Sequence, residues 1–149
     1  MKMVDVGGKE KTQRVAIATG RVRMNAAALK KIRSNTVEKG DVISAARIAG
    51  VMASKKTPDL IPLCHPIALS GVEVEVTPRR DCVEIRATVK TVDRTGVEME
   101  ALTAVSAAAL TVYDMLKSTD RGMVIEDIAL EHKSGGRSGL FTRKPRSRS

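Results

Sequence analysis

Residues 71–90 read GVEVEVTPRRDCVEIRATVK. Val72, Val74 and Val76 alternate with Glu73 and Glu75. Val83, Ile85, Ala87 and Val89 alternate with Glu84, Arg86 and Thr88. Successive strand side chains point to opposite faces, so a period of two describes strands with one apolar and one wet face. Between the two runs lies Pro78-Arg79-Arg80-Asp81, a turn-forming composition. The stretch is predicted to form an antiparallel β-hairpin covering a core on one side only.

Outward from the hairpin, the pattern changes to helical spacing. Glu98 to Lys117 is alanine-rich and continuous, with Gly96 before it and Ser118 to Gly122 after it. Met123 to Glu131 reads as a last strand, followed by a glycine-rich turn. Toward the N-terminus, Gln13 to Thr19 reads as a strand and Met24 to Ile32 as a helix. A second helix is predicted over Asp41 to Lys55, with Val42, Ala45, Ala46, Ala49 and Met52 along one stripe and Asp41 as its cap. Met1 to Lys11 is polar and reads as loose. The order β, α, α, β, β, α, β predicts an α+β, ferredoxin-like sandwich, with a four-stranded antiparallel sheet and helices packed on one face.

The chain of 149 residues is expected to fold as one domain over residues 1–139. Aromatic residues make up 1%, from Tyr113 and Phe141. The core must be built from Val, Ile, Leu, Met and Ala, which bury little area each, so subunit contacts are expected to supplement it. The net charge of +9 is concentrated at one end. Six of the 26 bases follow Glu131 and no acid does, leaving 20 bases against 17 acids elsewhere. Residues 140–149 therefore read as a disordered basic tail, and the high pI is poor evidence for specific nucleic-acid binding. Cys64 and Cys82 form no CxxC pair, which argues against a metal site, an iron–sulfur cluster or a disulfide framework. No run of about 18 apolar residues and no signal-peptide pattern appear, so a cytoplasmic protein with no membrane partner is expected.

Thr57 to Pro66, TPDLIPLCHP, holds three of the five prolines, one of two cysteines and one of two histidines. Proline fixes φ and removes a backbone donor, so Pro58, Pro62 and Pro66 argue against a regular helix or central strand. Leu60, Ile61, Leu63 and Ile67 are too apolar for a solvated loop. A stiff, partly buried segment that presents His65 suits the wall of an active site, and equally a packed structural loop.

The long helix carries Glu98, Glu100, Asp114 and Lys117. Asp114 and Lys117 are three apart and share a face, as a surface ion pair or as part of a site. Glu100 and Asp114 fall about 40° apart around the axis but about 21 Å apart along it. Either the substrate is long or each site combines two subunits. Lys39-Gly40-Asp41 stands at a predicted helix start, where amide donors and a lysine suit phosphate. Lys133-Ser134-Gly135-Gly136-Arg137-Ser138-Gly139 has the composition of a phosphate loop without the Walker spacing. Together these pieces suggest a phosphorylated substrate met by Lys39, Lys117 and the glycine loop, with His65, Asp114 and Glu100 as proton-transfer candidates.

Several motifs, taken in order, resemble one family. They are MVDV at Met3 to Val6, KGDV at Lys39 to Val42, ARIAG at Ala46 to Gly50, and TPDLIPLCHP. Then come TGVEMEALTAVS at Thr95 to Ser106, LTVYDMLK at Leu110 to Lys117, and KSGGRSG at Lys133 to Gly139. The chain resembles the MoaC family, the cyclic pyranopterin monophosphate synthases of molybdenum cofactor biosynthesis, over Met3 to about Gly139. The resemblance implies a ferredoxin-like fold assembled as a homo-hexamer, a trimer of dimers, with sites at subunit interfaces. It implies a lyase reaction in which a 3′,8-cyclised dihydro-GTP, supplied by an upstream radical SAM enzyme, becomes cyclic pyranopterin monophosphate and pyrophosphate. It implies catalytic roles for Asp114, Lys117, Lys39 and His65. It implies substrate contacts from Leu63, Cys64, His65, Glu98, Met99, Glu100, Lys133 and Arg14. No cofactor is required by the sequence, and magnesium is expected at most with the triphosphate.

The competing expectation is a noncatalytic nucleotide- or RNA-binding module of the same fold. RNA-binding sheets of this shape present aromatics for stacking, and this chain has two aromatics, neither on a predicted central strand.

Overall fold

The protein is described from a computed structural model covering residues 1–145. The elements are β1 (Thr12–Arg23), α1 (Ala26–Ser34), α2 (Val42–Lys55), α3 (Thr57–Leu60), β2 (Leu69–Pro78), β3 (Cys82–Asp93), α4 (Glu98–Leu116), β4 (Val124–Ser134) and β5 (Phe141–Thr142). The sheet is antiparallel throughout, in the order β2-β3-β1-β4-β5. The 71–90 hairpin forms as its alternation dictates, with Val74 opposite Ala87 and Val76 opposite Ile85.

Five strands replace the expected four. Phe141 and Thr142 pair with Lys133 and His132. This pairing falls inside the segment read as a disordered tail, and Arg143 continues it by donating from its amide to Glu131 and from its Nε to the Leu130 carbonyl. The remainder of that segment, residues 146–149, lies outside the described residues.

One sheet face is dry. Ala16, Ala18 and Val22 of β1 line up with Val89, Ala87 and Val83 of β3, all fully buried. Over them lies α4, whose buried stripe runs Ala101, Ala104, Val105, Ala108, Ala109, Val112. The small side chains let the layers approach closely. A Cβ at Gly20 would stand 2.8 Å from Val105 Cγ1 and 2.9 Å from Ile128 Cγ1. A Cβ at Gly50 would meet the Ala104 carbonyl at 3.0 Å, so α2 and α4 are packed backbone to backbone. By length and composition alone α4 could cross a membrane, yet half of it is buried inside this fold.

Local chemistry sets the helix starts. Asn25 caps α1 by accepting from the Ala28 amide at 2.9 Å, and Asp41 caps α2 by accepting from Ser44 at 3.0 Å. The proline-rich segment does contain one helical turn, α3. Pro58 sits in its first turn, where a missing amide hydrogen removes no helical bond. The turn stops at Ile61, before Pro62.

Candidate active site

The candidate residues gather at the two ends of α4. At its C-terminal end stands Asp114, with Lys117 one turn on. Lys39 arrives from the turn before α2, where Gly40 takes a φ of +114°. Lys39 Nζ lies 2.8 Å from Asp114 Oδ2, and Lys117 Nζ lies 3.0 Å from Oδ1. The carboxylate is thus held between two cations. Hydrogen bonds from Lys39 and then Lys117 pull its pKa below the ordinary value. All three side chains are about half exposed, so in water these ion pairs add little to stability and leave the cations open to a ligand.

At the N-terminal end, Glu98, Met99 and Glu100 form the first turn of α4. They line a cavity of about 460 Å³ together with Leu63, Cys64 and His65. Glu100 is 3% exposed, and its Oε2 has no hydrogen-bond partner among the described residues. Burial raises its pKa from 4.5 to about 7; its own backbone amide pulls the other way, and the Glu98 charge adds a small push up. A carboxyl of that kind can exist in either protonation state near neutral pH. Burial, and then the Glu100 charge, push the Cys64 thiol up, so that sulfur stays protonated. Lys133 projects from β4 toward the same helix end, with Nζ 3.6 Å from Glu98 Oε1 and a hydrogen bond to Ser138 Oγ. At Gly96 the absence of a side chain leaves room for the Glu98 carboxylate, which a Cβ there would push aside.

Arg14 is nearby but buried, at 7% exposure. Its Nε donates to the Asp93 carbonyl at 3.0 Å and its Nη2 to the Arg94 carbonyl at 3.2 Å. It therefore braces the loop that leads into α4. The Gly135-Gly136 turn lies against it, with φ of +92° and +80°, and a Cβ at Gly136 would meet Nη1 at 2.2 Å. Only glycines fit a left-handed turn pressed this closely onto a guanidinium.

The structure thus brings together Leu63, Cys64, His65, Glu98, Met99, Glu100 and Lys133, with Arg14 beside them. It places Asp114, Lys117 and Lys39 elsewhere. Since α4 is unbroken from Glu98 to Leu116, the 14 residues from Glu100 to Asp114 span about 21 Å. Sequence reasoning from composition missed the N-terminal segment. Lys2, Val4, Val6 and Lys9 wall the Glu100 cavity. The available signal was the MVDV motif, whose two valines are apolar points in an otherwise polar run.

The sequence model of the MoaC family matches residues 3–136. The chain belongs to the MoaC family. The match begins at Met3, ahead of any secondary structure, so the family pattern includes the segment that walls the cavity. Among relatives, a cyclic pyranopterin monophosphate synthase of Novosphingobium aromaticivorans is 60% identical over 140 residues, covering 94% of this chain and 89% of that one. Proteins of the same name from Streptomyces avermitilis and Pelotomaculum thermopropionicum are 57% identical over 142 and 145 residues. They cover 95% and 96% of this chain, and 84% and 85% of their own lengths. Membership of the MoaC family ties the chain to molybdenum cofactor biosynthesis, and the relatives' names describe an enzyme with a small pterin product.

Proposed function

We propose that the protein is a cyclic pyranopterin monophosphate synthase, a lyase that converts a 3′,8-cyclised dihydro-GTP to cyclic pyranopterin monophosphate and releases pyrophosphate. The observation that carries this reading is the convergence on one cavity of the Leu63-Cys64-His65 and Glu98–Glu100 motifs, with Lys133 at its edge. These motifs lie in a chain 57–60% identical to proteins of that name. The reaction opens a guanine ring and rebuilds it as a pterin, which needs repeated proton transfers. Asp114 is the acid/base group. In the free protein its two lysine partners keep it anionic and weakly basic. When Lys39 and Lys117 turn toward substrate phosphate, the carboxylate loses its cations and its pKa climbs, so it can take a proton from the substrate; when a lysine returns, the pKa falls and the proton is released. Glu100, poised near neutrality, serves the other side of the ring, with His65 and Cys64 beside it. Lys133 and Arg14 face the phosphates.

The distance between Asp114 and Glu100 is too long for one compact site within a chain. We infer that each site joins two protomers. Met99, Thr103, Ser106 and Leu110 lie along one face of α4, with Met99 and Leu110 exposed. The Ser106 hydroxyl turns back to the Leu102 carbonyl at 2.8 Å, which leaves that face free of unpaired donors. Two α4 helices crossing antiparallel about an axis near Ala107 place Asp114 of one beside the Glu100 cavity of the other. Exposed Ile48 and Met52 of α2 extend the apolar surface. Such a dimer, repeated three times, is the hexamer the family resemblance implies.

The four long strands β1 to β4 follow the βαββαβ pattern, which supports reading the fold as ferredoxin-like with an added edge strand. The reaction calls for no cofactor. Magnesium, where present, accompanies the triphosphate. An upstream radical SAM enzyme supplies the substrate, in the cytoplasm. No observation favours an RNA-binding module: Tyr113 spends its hydroxyl on the Arg121 carbonyl, and Phe141 lies on the short edge strand.

The test is incubation with enzymatically prepared cyclised dihydro-GTP. Stoichiometric pyrophosphate and cyclic pyranopterin monophosphate are expected. A folded oligomer that releases neither overturns the assignment.

A further inference from the structure

A cavity of about 420 Å³ lies between α1 and the tip of the β2–β3 hairpin, lined by Ala26, Leu29, Lys30, Arg33, Ser34 and Arg80. It shares no residue with the Glu100 cavity or with the Lys39–Asp114–Lys117 cluster. Three cations line it and, among the described residues, no carboxylate does. The acids nearest in sequence to Arg80 are engaged elsewhere. Asp81 accepts from Arg23 Nη1 at 2.8 Å, and Glu84 pairs with Arg79 at 3.5 Å. Lys30 Nζ and the Arg80 guanidinium have no hydrogen bond or ion pair among the described residues. Cations in the last turn of a helix ordinarily serve its free carbonyls. Here those carbonyls are already taken. The Asn35 amide donates to Ile32 at 3.1 Å, the Thr36 amide to Lys31 at 3.0 Å, and Ser34 Oγ to Lys30 at 2.8 Å. Arg33 turns away from the helix end instead, and its Nη2 donates to the Arg79 carbonyl at 2.7 Å. That bond fixes one guanidinium and ties α1 to the hairpin tip. The tip is itself held, by the Arg79 amide on the Cys82 carbonyl at 2.7 Å and the Met24 amide on the Asp81 carbonyl at 3.1 Å. The cations therefore stand on a braced frame, and an anion between them relieves their mutual repulsion.

We propose that Lys30, Arg33 and Arg80 bind the phosphate of a small phosphomonoester, at a site separate from both ends of α4. Two guanidinium forks suit the oxygens of a phosphate, and Lys30 adds a point charge that can follow the ligand. Three positive charges match a dianion better than a single carboxylate. The volume falls within the range of small-molecule pockets, about 300–1,000 Å³, and is larger than one phosphate group fills. The organic part of the ester rests on Ala26 and Leu29, the apolar members of the wall. The site stands apart from the synthase reading, because it uses none of the residues that reading places in the reaction.

The probe is phenyl phosphate, titrated into the full-length protein at fixed ionic strength and followed through the leucine methyl signals by NMR. Leu29 reports this cavity and Leu63 the Glu100 cavity, so the two sites are read separately. The Leu29 signals are expected to move and saturate. The double variant Lys30→Ala/Arg80→Ala alters two exposed side chains and leaves the Arg33 bond to the hairpin in place. It is expected to weaken the Leu29 response at least about tenfold, as loss of charge-assisted hydrogen bonds requires, and to leave the Leu63 response as in wild type. The control Arg86→Ala/Lys90→Ala removes the same charge from exposed positions on β3. It is expected to change the Leu29 response by less than about twofold, the effect of net charge alone. Inorganic phosphate is expected to bind the same cavity more weakly than phenyl phosphate, since it has nothing to lay on Ala26 and Leu29. Equal affinity of the two probes overturns the ester assignment. Leu29 signals that stay still while those of Leu63 move overturn the site, as does equal affinity in the two double variants.

Discussion

Lys39 and Asp114 are 75 positions apart in the chain, yet Lys39 Nζ lies 2.8 Å from Asp114 Oδ2 and 3.3 Å from the carbonyl oxygen of the same residue. The contact ties the turn before α2 to the last turn of α4. With Lys117 on the other carboxylate oxygen, it makes Asp114 an anion whose proton affinity depends on where two lysines point.

Asp114→Asn keeps the shape of the side chain and removes its titration. Turnover is expected to fall at least about 10²-fold, with the oligomer intact by light scattering. Lys39→Ala is expected to raise KM for substrate and to move the Asp114 pKa up toward the ordinary carboxylate range, read from the carboxyl carbon shift in an NMR titration. Turnover near wild type in the asparagine variant removes Asp114 from the proton-transfer role.

Glu100 has the opposite electrostatics, and the sign of its effect on stability follows. Its folded pKa, about 7, lies above the unfolded value of 4.5. Between those values the folded state holds a proton that the unfolded state has released. Stability therefore falls as pH rises through this window and stays low above it. Glu100→Gln removes the effect. At pH 8 the variant is expected to be more stable than wild type by on the order of 2–3 kcal/mol, and at pH 4 to match it, from urea unfolding at one fixed protein concentration. Activity is expected to drop in the same variant. A wild-type stability profile flat from pH 4.5 to 7 contradicts this account of the buried carboxyl.

Gly20 sets the distance between α4 and the sheet. Its missing side chain leaves room for Val105 and Ile128, which a Cβ would approach to 2.8 and 2.9 Å. Gly20→Ala is expected to destabilise the fold by roughly 1–3 kcal/mol through overpacking, while Gly8→Ala, where a Cβ meets nothing within 4 Å, is expected to change little. Equal urea midpoints for the two variants would mean that the layers can separate without penalty.

How much of this was legible in the sequence depends on the residue. The 71–90 hairpin was legible because valine and glutamate alternate without interruption, and the single long helix because its alanines keep one stripe. β1 runs on to Arg23, beyond the expected Thr19, because Gly20 breaks the apolar alternation at the point where α4 presses closest. β5 was hidden, since two residues in a basic run carry no period. The motif residues were found, but their grouping was only half visible. Helical geometry separates Glu100 from Asp114, whereas nothing in composition says that Lys39 meets Asp114 or that the N-terminal segment closes the Glu100 cavity. Arg14 is the sharpest miss of detail: arginine is ordinarily exposed, and its burial depends on two carbonyls from a loop about 80 residues away.

The shared site is open to a direct genetic test. Glu100→Ala subunits and Asp114→Asn subunits are each expected to be nearly inactive. In a dimer that holds one of each, one interface site combines both defects and the other combines neither. Mixed oligomers are therefore expected to recover activity, approaching half of the wild-type sites when every dimer is mixed. Subunit exchange is checked by native mass spectrometry on tagged chains, and recovered turnover is measured against the mixed fraction. If verified mixed dimers stay as inactive as their parents, Asp114 and Glu100 act within one chain, and the substrate must then reach along the whole length of α4.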